Sequence, residues 1–208
     1  MSPLEQAILA FDRSLRVFAL PARATRPYPA ESVPDVEMSD ASRKTSGGLM
    51  RVNHTGEVCA QALYQSQALF AKGSDTRLAL DHAAQEEWDH LAWCAQRLKE
   101  LGDRPSFLNP LWYAGSFLMG AASALAGDQW NMAFLVETER QVESHLDSHM
   151  SSLPTEDLRS RAIVETMQKE EAAHADMAES RGAAVMPAPL KLAMQATAKL
   201  MTSTAYWV

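Results

Sequence analysis

Hydrophobic residues recur at helical spacing along most of this chain. Between about residue 48 and residue 181, the pattern is interrupted at 73–75, 102–110, 127–128 and 153–157, where glycine, proline and acidic residues collect. The uninterrupted stretches predict four long helices, near 48–72, 75–101, 128–152 and 156–181. No stretch alternates hydrophobic and polar residues as a half-buried β-strand would. The sequence therefore predicts an all-α protein built on a four-helix bundle.

The first part of the chain has a different pattern. Over residues 4–18, apolar side chains at helical spacing predict a short amphipathic helix, and they are Leu4, Ile8, Phe11, Leu15 and Phe18. Residues 20–45 contain four prolines and no sustained period, which indicates an extended linker, and no motif in it predicts a chemical role. We therefore expect an N-terminal unit over 1–46, followed by the bundle domain over 47–208.

Two further segments are unusually apolar and predict additional helices, one between the two helix pairs and one at the C-terminus. Residues 111–127 contain no charged side chain, and residues 187–208 contain only Lys191 and Lys199. A membrane span needs about 20 strongly apolar residues, whereas 111–127 is shorter and rich in Gly, Ala and Ser. We do not interpret it as transmembrane. A buried helix that covers the bundle and a helix that lies in the membrane interface are both compatible with this composition.

Composition and charge narrow the possible partners. The chain is 47% hydrophobic and 22% charged, as is usual for a globular protein, and its net charge of −7 argues against nucleic acid as a partner. Cys59 and Cys94 form no C-x-x-C motif, so we expect two reduced thiols. The N-terminus has Glu5 and no basic run before its apolar residues, so we expect no secretory signal and a location inside the cell.

The candidate chemistry comes from a pattern that occurs twice. "QEEWDH" (85–90) and "KEEAAH" (169–174) each contain a Glu and a His three residues apart, so both side chains lie on one side of a helix. A further Glu precedes each pair by 30 or 32 residues, and the two halves are offset by 82 to 84 residues, which indicates an internal repeat. In a four-helix bundle, such a repeat would bring together six candidate metal ligands, which are Glu57, Glu87, His90, Glu139, Glu171 and His174.

Electrostatics favours a pair of metal ions at this centre. Four ionised carboxylates inside a bundle would repel one another and lose hydration unless protons, cationic side chains or metal ions compensated them. Carboxylates together with imidazoles suit iron, whereas zinc prefers a closed tetrahedral site. The spacing leaves neighbouring residues open as alternative ligands, namely Glu86, Glu170, His54, Glu137 and Glu143.

The sequence resembles the demethoxyubiquinone hydroxylase family, ferritin-like di-iron monooxygenases of ubiquinone biosynthesis. The resemblance rests on five motifs in order, "RVNHTGE" (51–57), "EEWDHL" (86–91), "NPLWYAGSFLMGAASALAG" (109–127), "ETERQVESHL" (137–146) and "KEEAAHAD" (169–176). It implies that the six residues named above hold two iron ions, and it selects Glu87 and Glu171 over their neighbours. It also implies that His54 is not a ligand. Asn53 and Leu146 stand where the family usually has Asp and Tyr, so His145 is carried over only as a candidate near the site. His54 and Tyr64 are two further candidates near the site.

The resemblance also implies an activity. A di-iron monooxygenase would use O2 to hydroxylate the ring of a polyprenyl 6-methoxy-3-methyl-1,4-benzoquinol, and no catalytic residue beyond the metal ligands is implied. Because a prenylated quinol is held in a bilayer, we expect peripheral attachment to the cytoplasmic face of the bacterial membrane through 111–127 and the C-terminal helix, alongside other proteins of ubiquinone biosynthesis. Two alternatives are a ferroxidase or peroxidase of ferritin or rubrerythrin type, and a metal-free helical protein that binds lipid at a membrane.

Overall fold

The computed structural model describes residues 3–19 and 22–208, and the elements in these ranges are seven α-helices joined by loops. The helices are α1 (Pro3–Ala19), α2 (Asp40–Phe70), α3 (Ser74–Glu100), α4 (Asn109–Leu125), α5 (Asp128–Ser152), α6 (Leu158–Ser180) and α7 (Ala188–Ala205). The predicted all-α class is confirmed. Three of the four long helices lie within two residues of their predicted bounds, because glycine and polar caps mark their ends in the sequence.

The four long helices form the bundle. The most extensive helix pairings of the bundle are α2 with α3 and α5 with α6, and the two pairs meet where α3 contacts α6 and α2 contacts α5. Two of the hydrophobic clusters in the core draw residues from all four helices of the bundle. One cluster includes Met50, Trp93, Leu146 and Ile163, and the other includes Tyr64, Leu80, Leu135 and Ala178. On each of the four helices, several residues lie between those that belong to one cluster and those that belong to the other. These intervening residues form a layer across the middle of the bundle, with an apolar region on either side.

The start of α2 corrects the predicted linker. The helix begins at Asp40, eight residues before the predicted start near 48, and Ser39 caps it by accepting a hydrogen bond from the backbone N–H of Ser42. Its first turns are polar and exposed, so they carry no hydrophobic period that a sequence reading could detect. Residues 22–39 are extended and irregular, as predicted, and we call them the strap. Residues 20 and 21 of the predicted linker lie outside the described residues.

Three helices outside the bundle keep apolar side chains in solvent. On α4 one face packs on α2, but Leu111, Leu118 and Leu125 on the opposite side are each more than 60% exposed. The interpretation of 111–127 as a buried helix that covers the bundle holds for one face only, because the opposite face has no partner among the described residues. Among the described side chains, the large exposed hydrophobic residues are Ile8, Leu9, Phe11, Leu15 and Phe18 on α1 and Leu190, Leu192 and Leu200 on α7. The side chain of Leu4 lies outside the described residues.

Among the described residues, none of the seven helices is both long enough and apolar enough to cross a bilayer.

Candidate metal centre

The middle layer of the bundle contains the six residues that the repeat predicts. The residues are Glu57 from α2, Glu87 and His90 from α3, Glu139 from α5, and Glu171 and His174 from α6. Each of the six residues is at most 5% exposed. Charged residues are seldom buried to this extent without a compensating partner, so the layer requires an electrostatic explanation.

Two of the carboxylates connect the two histidines. Glu87 places Oε2 at 3.2 Å from Nδ1 of His90 and Oε1 at 2.9 Å from Nδ1 of His174. Glu171 repeats the arrangement, with Oε1 at 3.4 Å from Nδ1 of His90 and Oε2 at 3.6 Å from Nδ1 of His174. Each carboxylate therefore offers one oxygen to each histidine, which is the placement that carboxylates bridging two metal ions require.

The other two carboxylates complete two overlapping sets of ligand atoms. One set joins Glu57 to His90 and the two bridging residues, and the other joins Glu139 to His174 and the same two bridging residues. Within each set, the candidate ligand atoms all lie within 4.8 Å of one another. We refer to these sets as the His90 position and the His174 position. The arrangement offers two adjacent metal positions, each with an imidazole and three carboxylates.

The pKa values show how strongly the buried charges interact. Burial and the nearby carboxylate of Glu87 raise the pKa of Glu57 well above its ordinary value, and burial with Glu171 does the same to the pKa of Glu139. Burial opposes protonation of His174, but Glu171 and Glu87 raise its pKa to about 12. Burial also opposes protonation of His90, but Glu87 and Glu170 raise its pKa well above the ordinary value. Without cations, protons would have to hold the charge of this layer near neutrality.

The polar atoms of the layer fit divalent cations. Among the described residues, Glu57 Oε2, Glu87 Oε1, Glu171 Oε2 and His174 Nδ1 are buried without a hydrogen-bond partner. His174 Nδ1 and Glu87 Oε1 are only 2.9 Å apart, yet they are not oriented to share a hydrogen bond. Buried polar atoms that converge without pairing are expected where a ligand belongs. Hard carboxylate oxygens mixed with imidazole nitrogens suit iron or manganese.

Glu86 and Glu170, which the spacing left open as ligands, face the outer side of the histidines. Glu170 Oε2 lies 2.7 Å from Nε2 of His90, and Glu86 Oε2 lies 2.9 Å from Nε2 of His174. Each pair joins α3 to α6. Glu170 of α6 holds His90 of α3, and Glu86 of α3 holds His174 of α6. A carboxylate on the outer nitrogen fixes the tautomer and ring orientation of a metal-binding histidine.

The alternatives on α5 point away from the layer. Glu137 forms an ion pair with Lys191 of α7 at 2.7 Å, and Glu143 pairs with Arg140 at 3.1 Å. Both carboxylates are therefore engaged by cationic side chains elsewhere.

The three candidates near the site lie in different surroundings. Tyr64 donates a 2.7 Å hydrogen bond to Glu139 Oε1, so it contacts the layer directly. His54 is buried where α2 meets α4, its Nδ1 is 3.4 Å from Nδ2 of Asn109, and burial lowers its pKa to about 4. The ring of His145 packs against His149 with centroids 3.9 Å apart, and burial lowers its pKa as well. Of the three, Tyr64 has the clearest structural link to the candidate ligands.

A family comparison identifies the fold. The family model described as ubiquinone biosynthesis protein COQ7 matches residues 44–205. The chain belongs to the COQ7 family. Membership confirms the resemblance drawn from the five motifs, and it confirms the ferritin-like helical class.

Relatives of this COQ7-family chain are similar over its whole length. A protein of Nitrosomonas europaea named 3-demethoxyubiquinol 3-hydroxylase is 53% identical over 208 residues, which is 100% of both chains. Proteins with the same name are 54% identical in Chromobacterium violaceum, over 99% of this chain and 100% of the relative, and 54% identical in Bordetella petrii, over 99% of this chain and 92% of the relative.

Sequence reasoning missed two contributions to the centre of this COQ7-family member. The sequence contains a signal for the roles of Glu86 and Glu170. Both stand one residue before a bridging glutamate, and they are 84 residues apart, as the bridging glutamates are. Arg26 of the strap had no signal, yet its Nη1 lies 2.8 Å from Glu170 Oε1. No motif of the linker predicts this contact, so the sequence could not show it.

Proposed function

We propose that this protein is a di-iron monooxygenase that hydroxylates the ring of 3-demethoxyubiquinol, a polyprenyl 6-methoxy-3-methyl-1,4-benzoquinol. One observation carries the proposal: Glu87 and Glu171 each offer one oxygen to each of two histidines in a buried layer. The names of full-length relatives support the substrate. They also favour hydroxylation over a ferroxidase or peroxidase activity and over a metal-free lipid-binding role.

The residues of the chain have distinct tasks in this proposal. Glu57, Glu139 and the two bridging carboxylates hold the ions, together with His90 and His174. Two iron ions would supply O2 activation, so that one oxygen atom enters a ring C–H bond while an external donor's two electrons and two protons reduce the other to water. The apolar clusters on either side of the layer exclude water from it. Tyr64 holds Glu139 through its hydroxyl.

The exposed apolar side chains support contact with a membrane surface. Leu111, Leu118 and Leu125 recur every seven residues, which places them along one side of α4. The backbone N–H of Phe107 donates to the carbonyl of Val208, so the end of the chain after α7 meets the start of α4, and Phe107 and Trp207 at this junction are both more than 70% exposed. We propose that this surface lies on the cytoplasmic leaflet and admits the prenylated substrate.

Complementation tests the enzymatic proposal. In a strain that lacks the gene, wild-type protein should restore ubiquinone, whereas Glu171→Ala should leave the demethoxy precursor in lipid extracts. Glu165→Ala is the matched control, because this exposed α6 carboxylate pairs only with Lys169 among the ion pairs of the described residues. The Glu171→Ala protein should keep its helical circular dichroism. Ubiquinone in the Glu171→Ala strain would contradict the proposal, as would wild-type protein without two irons per chain after anaerobic loading.

Vesicle flotation tests the membrane surface. Wild-type protein should float with vesicles of phosphatidylethanolamine and phosphatidylglycerol, and Leu118→Ser/Leu125→Ser should float less. Leu78→Ser is the control, since Leu78 is a similarly exposed leucine, 68% exposed, on a different helix, α3. Equal flotation of the α4 variant and the wild type would rule out α4 as the contact.

A further inference from the structure

Arg26 binds the outside of the bundle at the level of the metal layer. Its Nε donates to Asp89 Oδ2 at 2.7 Å, its Nη1 donates to Glu170 Oε1 at 2.8 Å, and its Nη2 reaches the carbonyl oxygen of Glu86 at 3.4 Å. The guanidinium also lies 4.8 Å from the ring centroid of Trp93. One planar head group thus contacts both α3 and α6, which is a geometry that the fork of an arginine provides.

The carboxylate of Glu170 connects Arg26 to a candidate ligand. Its Oε1 accepts from Arg26, while its Oε2 lies 2.7 Å from Nε2 of His90. Contacts therefore run without interruption from the strap, through Glu170, to the imidazole whose Nδ1 faces the two bridging carboxylates.

The His174 position is supported differently. Glu86 takes the place of Glu170 there, with Oε2 at 2.9 Å from Nε2 of His174. The imidazole of His82, 81% exposed, lies 3.7 Å from that same oxygen. An exposed imidazole at this distance restrains a carboxylate less than an arginine with three further contacts does. The glutamate that holds His90 is therefore restrained by more contacts than the glutamate that holds His174.

We propose that Arg26 is a positioning residue: by fixing Glu170, it orients His90 and strengthens metal binding at the His90 position relative to the His174 position. The inference rests on the proposed di-metal centre and deepens it. Arg26 lies outside the part of the chain that the family model matches, residues 44–205. The strap thereby contributes to the metal centre although it contains none of the candidate ligands.

The size of the effect follows from the behaviour of other metal sites. Removing a group that orients a metal-binding histidine commonly lowers metal affinity about 10-fold to 100-fold. For Arg26→Gln, we expect a loss of that order for one ion and little change for the other. Arg26→Lys keeps a positive charge near Asp89 and Glu170, but an ammonium group cannot span both carboxylates and the Glu86 carbonyl, so its loss should be intermediate.

Anaerobic titration of the full-length protein with Co2+ is the test, followed by the visible absorption of bound cobalt. Wild-type protein should bind two ions, and Arg26→Gln should bind one of them about 10-fold or more weakly, with a changed spectrum for that ion alone. Glu170→Gln should reproduce the loss, and the double variant should lose no more than either single variant, because both substitutions break one chain of contacts.

Tyr28→Phe is the matched control on the strap. Tyr28 donates a 3.1 Å hydrogen bond to Glu100 and has no part in the contacts to Glu170, so its removal loosens the strap without touching the chain of contacts to His90. It should leave both cobalt affinities unchanged. An equal loss in Tyr28→Phe would overturn the proposal, because general anchoring of the strap would then explain the effect.

Other outcomes separate this inference from the proposed function. Wild-type binding of two ions with unchanged affinity in Arg26→Gln would overturn the role of Arg26 and leave the di-metal centre standing. Wild-type protein that binds fewer than two ions would overturn both. If Arg26→Gln does not fold, Arg26→Lys and Glu170→Gln decide the matter, and wild-type affinities in both would overturn the proposal.

Discussion

Glu86 Oε2 lies 2.9 Å from Nε2 of His174, a histidine on the opposite helix 88 residues away. The adjacent Glu87 places Oε1 at 2.9 Å from Nδ1 of the same ring. Two consecutive glutamates of α3 thus face the two nitrogens of one imidazole. The inner carboxylate is placed to bind metal, and the outer one is placed to orient the ring.

This relationship predicts different results for substitutions at neighbouring positions. Glu87→Gln should abolish binding of both ions, because its carboxylate belongs to both sets of ligand atoms. Glu86→Gln should keep two ions but weaken the one at the His174 position by about 10-fold to 100-fold. Iron stoichiometry and anaerobic titration measure the two effects. Equal loss in both variants would show that both glutamates are ligands, and loss only in Glu86→Gln would show that Glu86 is the ligand instead of Glu87.

Metal uptake should depend on pH, with a sign set by the raised pKa values of the layer. The pKa of His174 is raised to about 12 and that of His90 is raised well above its ordinary value, so both imidazoles hold protons at neutral pH. Burial raises the pKa values of Glu57 and Glu139, which also favours their protonated forms. Cations must displace these protons, so affinity should fall as pH falls and each ion should release protons on binding.

Titration with Fe2+ in weakly buffered anaerobic solution measures this linkage. At pH 7.5 more than one proton should be released per bound ion, because the ions displace both imidazolium and carboxyl protons. Dissociation constants at pH 6.5 should be higher than at pH 7.5. Binding that releases no protons and is indifferent to pH would contradict the charge assignment.

Gly120 sets how closely α4 approaches α2. A Cβ there would lie 2.9 Å from the backbone oxygen of Leu63 and would also collide with Ser66 Oγ. Ser66 has a side chain that can rotate, but the α2 backbone at Leu63 cannot yield without moving the helix that holds Glu57. Gly120→Ala should therefore lower the free energy of unfolding by about 1 to 3 kcal/mol.

Gly115→Ala is the control on the same helix. Gly115 is exposed, and a Cβ there meets no atom within 4 Å. Alanine should stabilise the helix at this position by up to about 1 kcal/mol. Urea unfolding of the two variants gives opposite signs if the close packing is as described, and equal effects would refute it.

His149 should make the protein less stable in mild acid. Burial and the adjacent His145 lower its pKa to about 3, below the value of about 6.5 expected for an unfolded chain. Because the folded value is the lower one, the stabilisation is complete above pH 6.5 and is lost as pH falls from 6.5 towards 3. At pH 5 the loss from this residue should be roughly 2 kcal/mol.

Substitution isolates that contribution. His149→Gln has a similar size and does not titrate, so its unfolding free energy should fall less between pH 7.5 and pH 5 than that of the wild type, by roughly 2 kcal/mol. Identical pH dependence in the two proteins would mean that His149 is protonated without cost in the folded state.

The sequence by itself determined most of the helices and a set of candidate ligands in which Glu86 and Glu170 stayed open beside Glu87 and Glu171. A Glu and a His three residues apart share one side of a helix whatever surrounds it, and an internal repeat brings equivalent positions to equivalent places in a bundle. The helix ends could be predicted wherever glycine and polar residues interrupt the hydrophobic period. The start of α2 was not, because its first turns are polar on all sides and are fixed by Ser39, whose capping role a hydrophobic pattern does not reveal.

Only the tertiary structure decided how consecutive glutamates divide their tasks. Glu86 and Glu87 are 100° apart on a helix, so the rotation of α3 against α6 determines which one faces the layer. The contact between Arg26 and Glu170 joins residues 144 positions apart. No local hydrophobic period predicts such a contact, because it forms only where the strap crosses the outer surface of two packed helices.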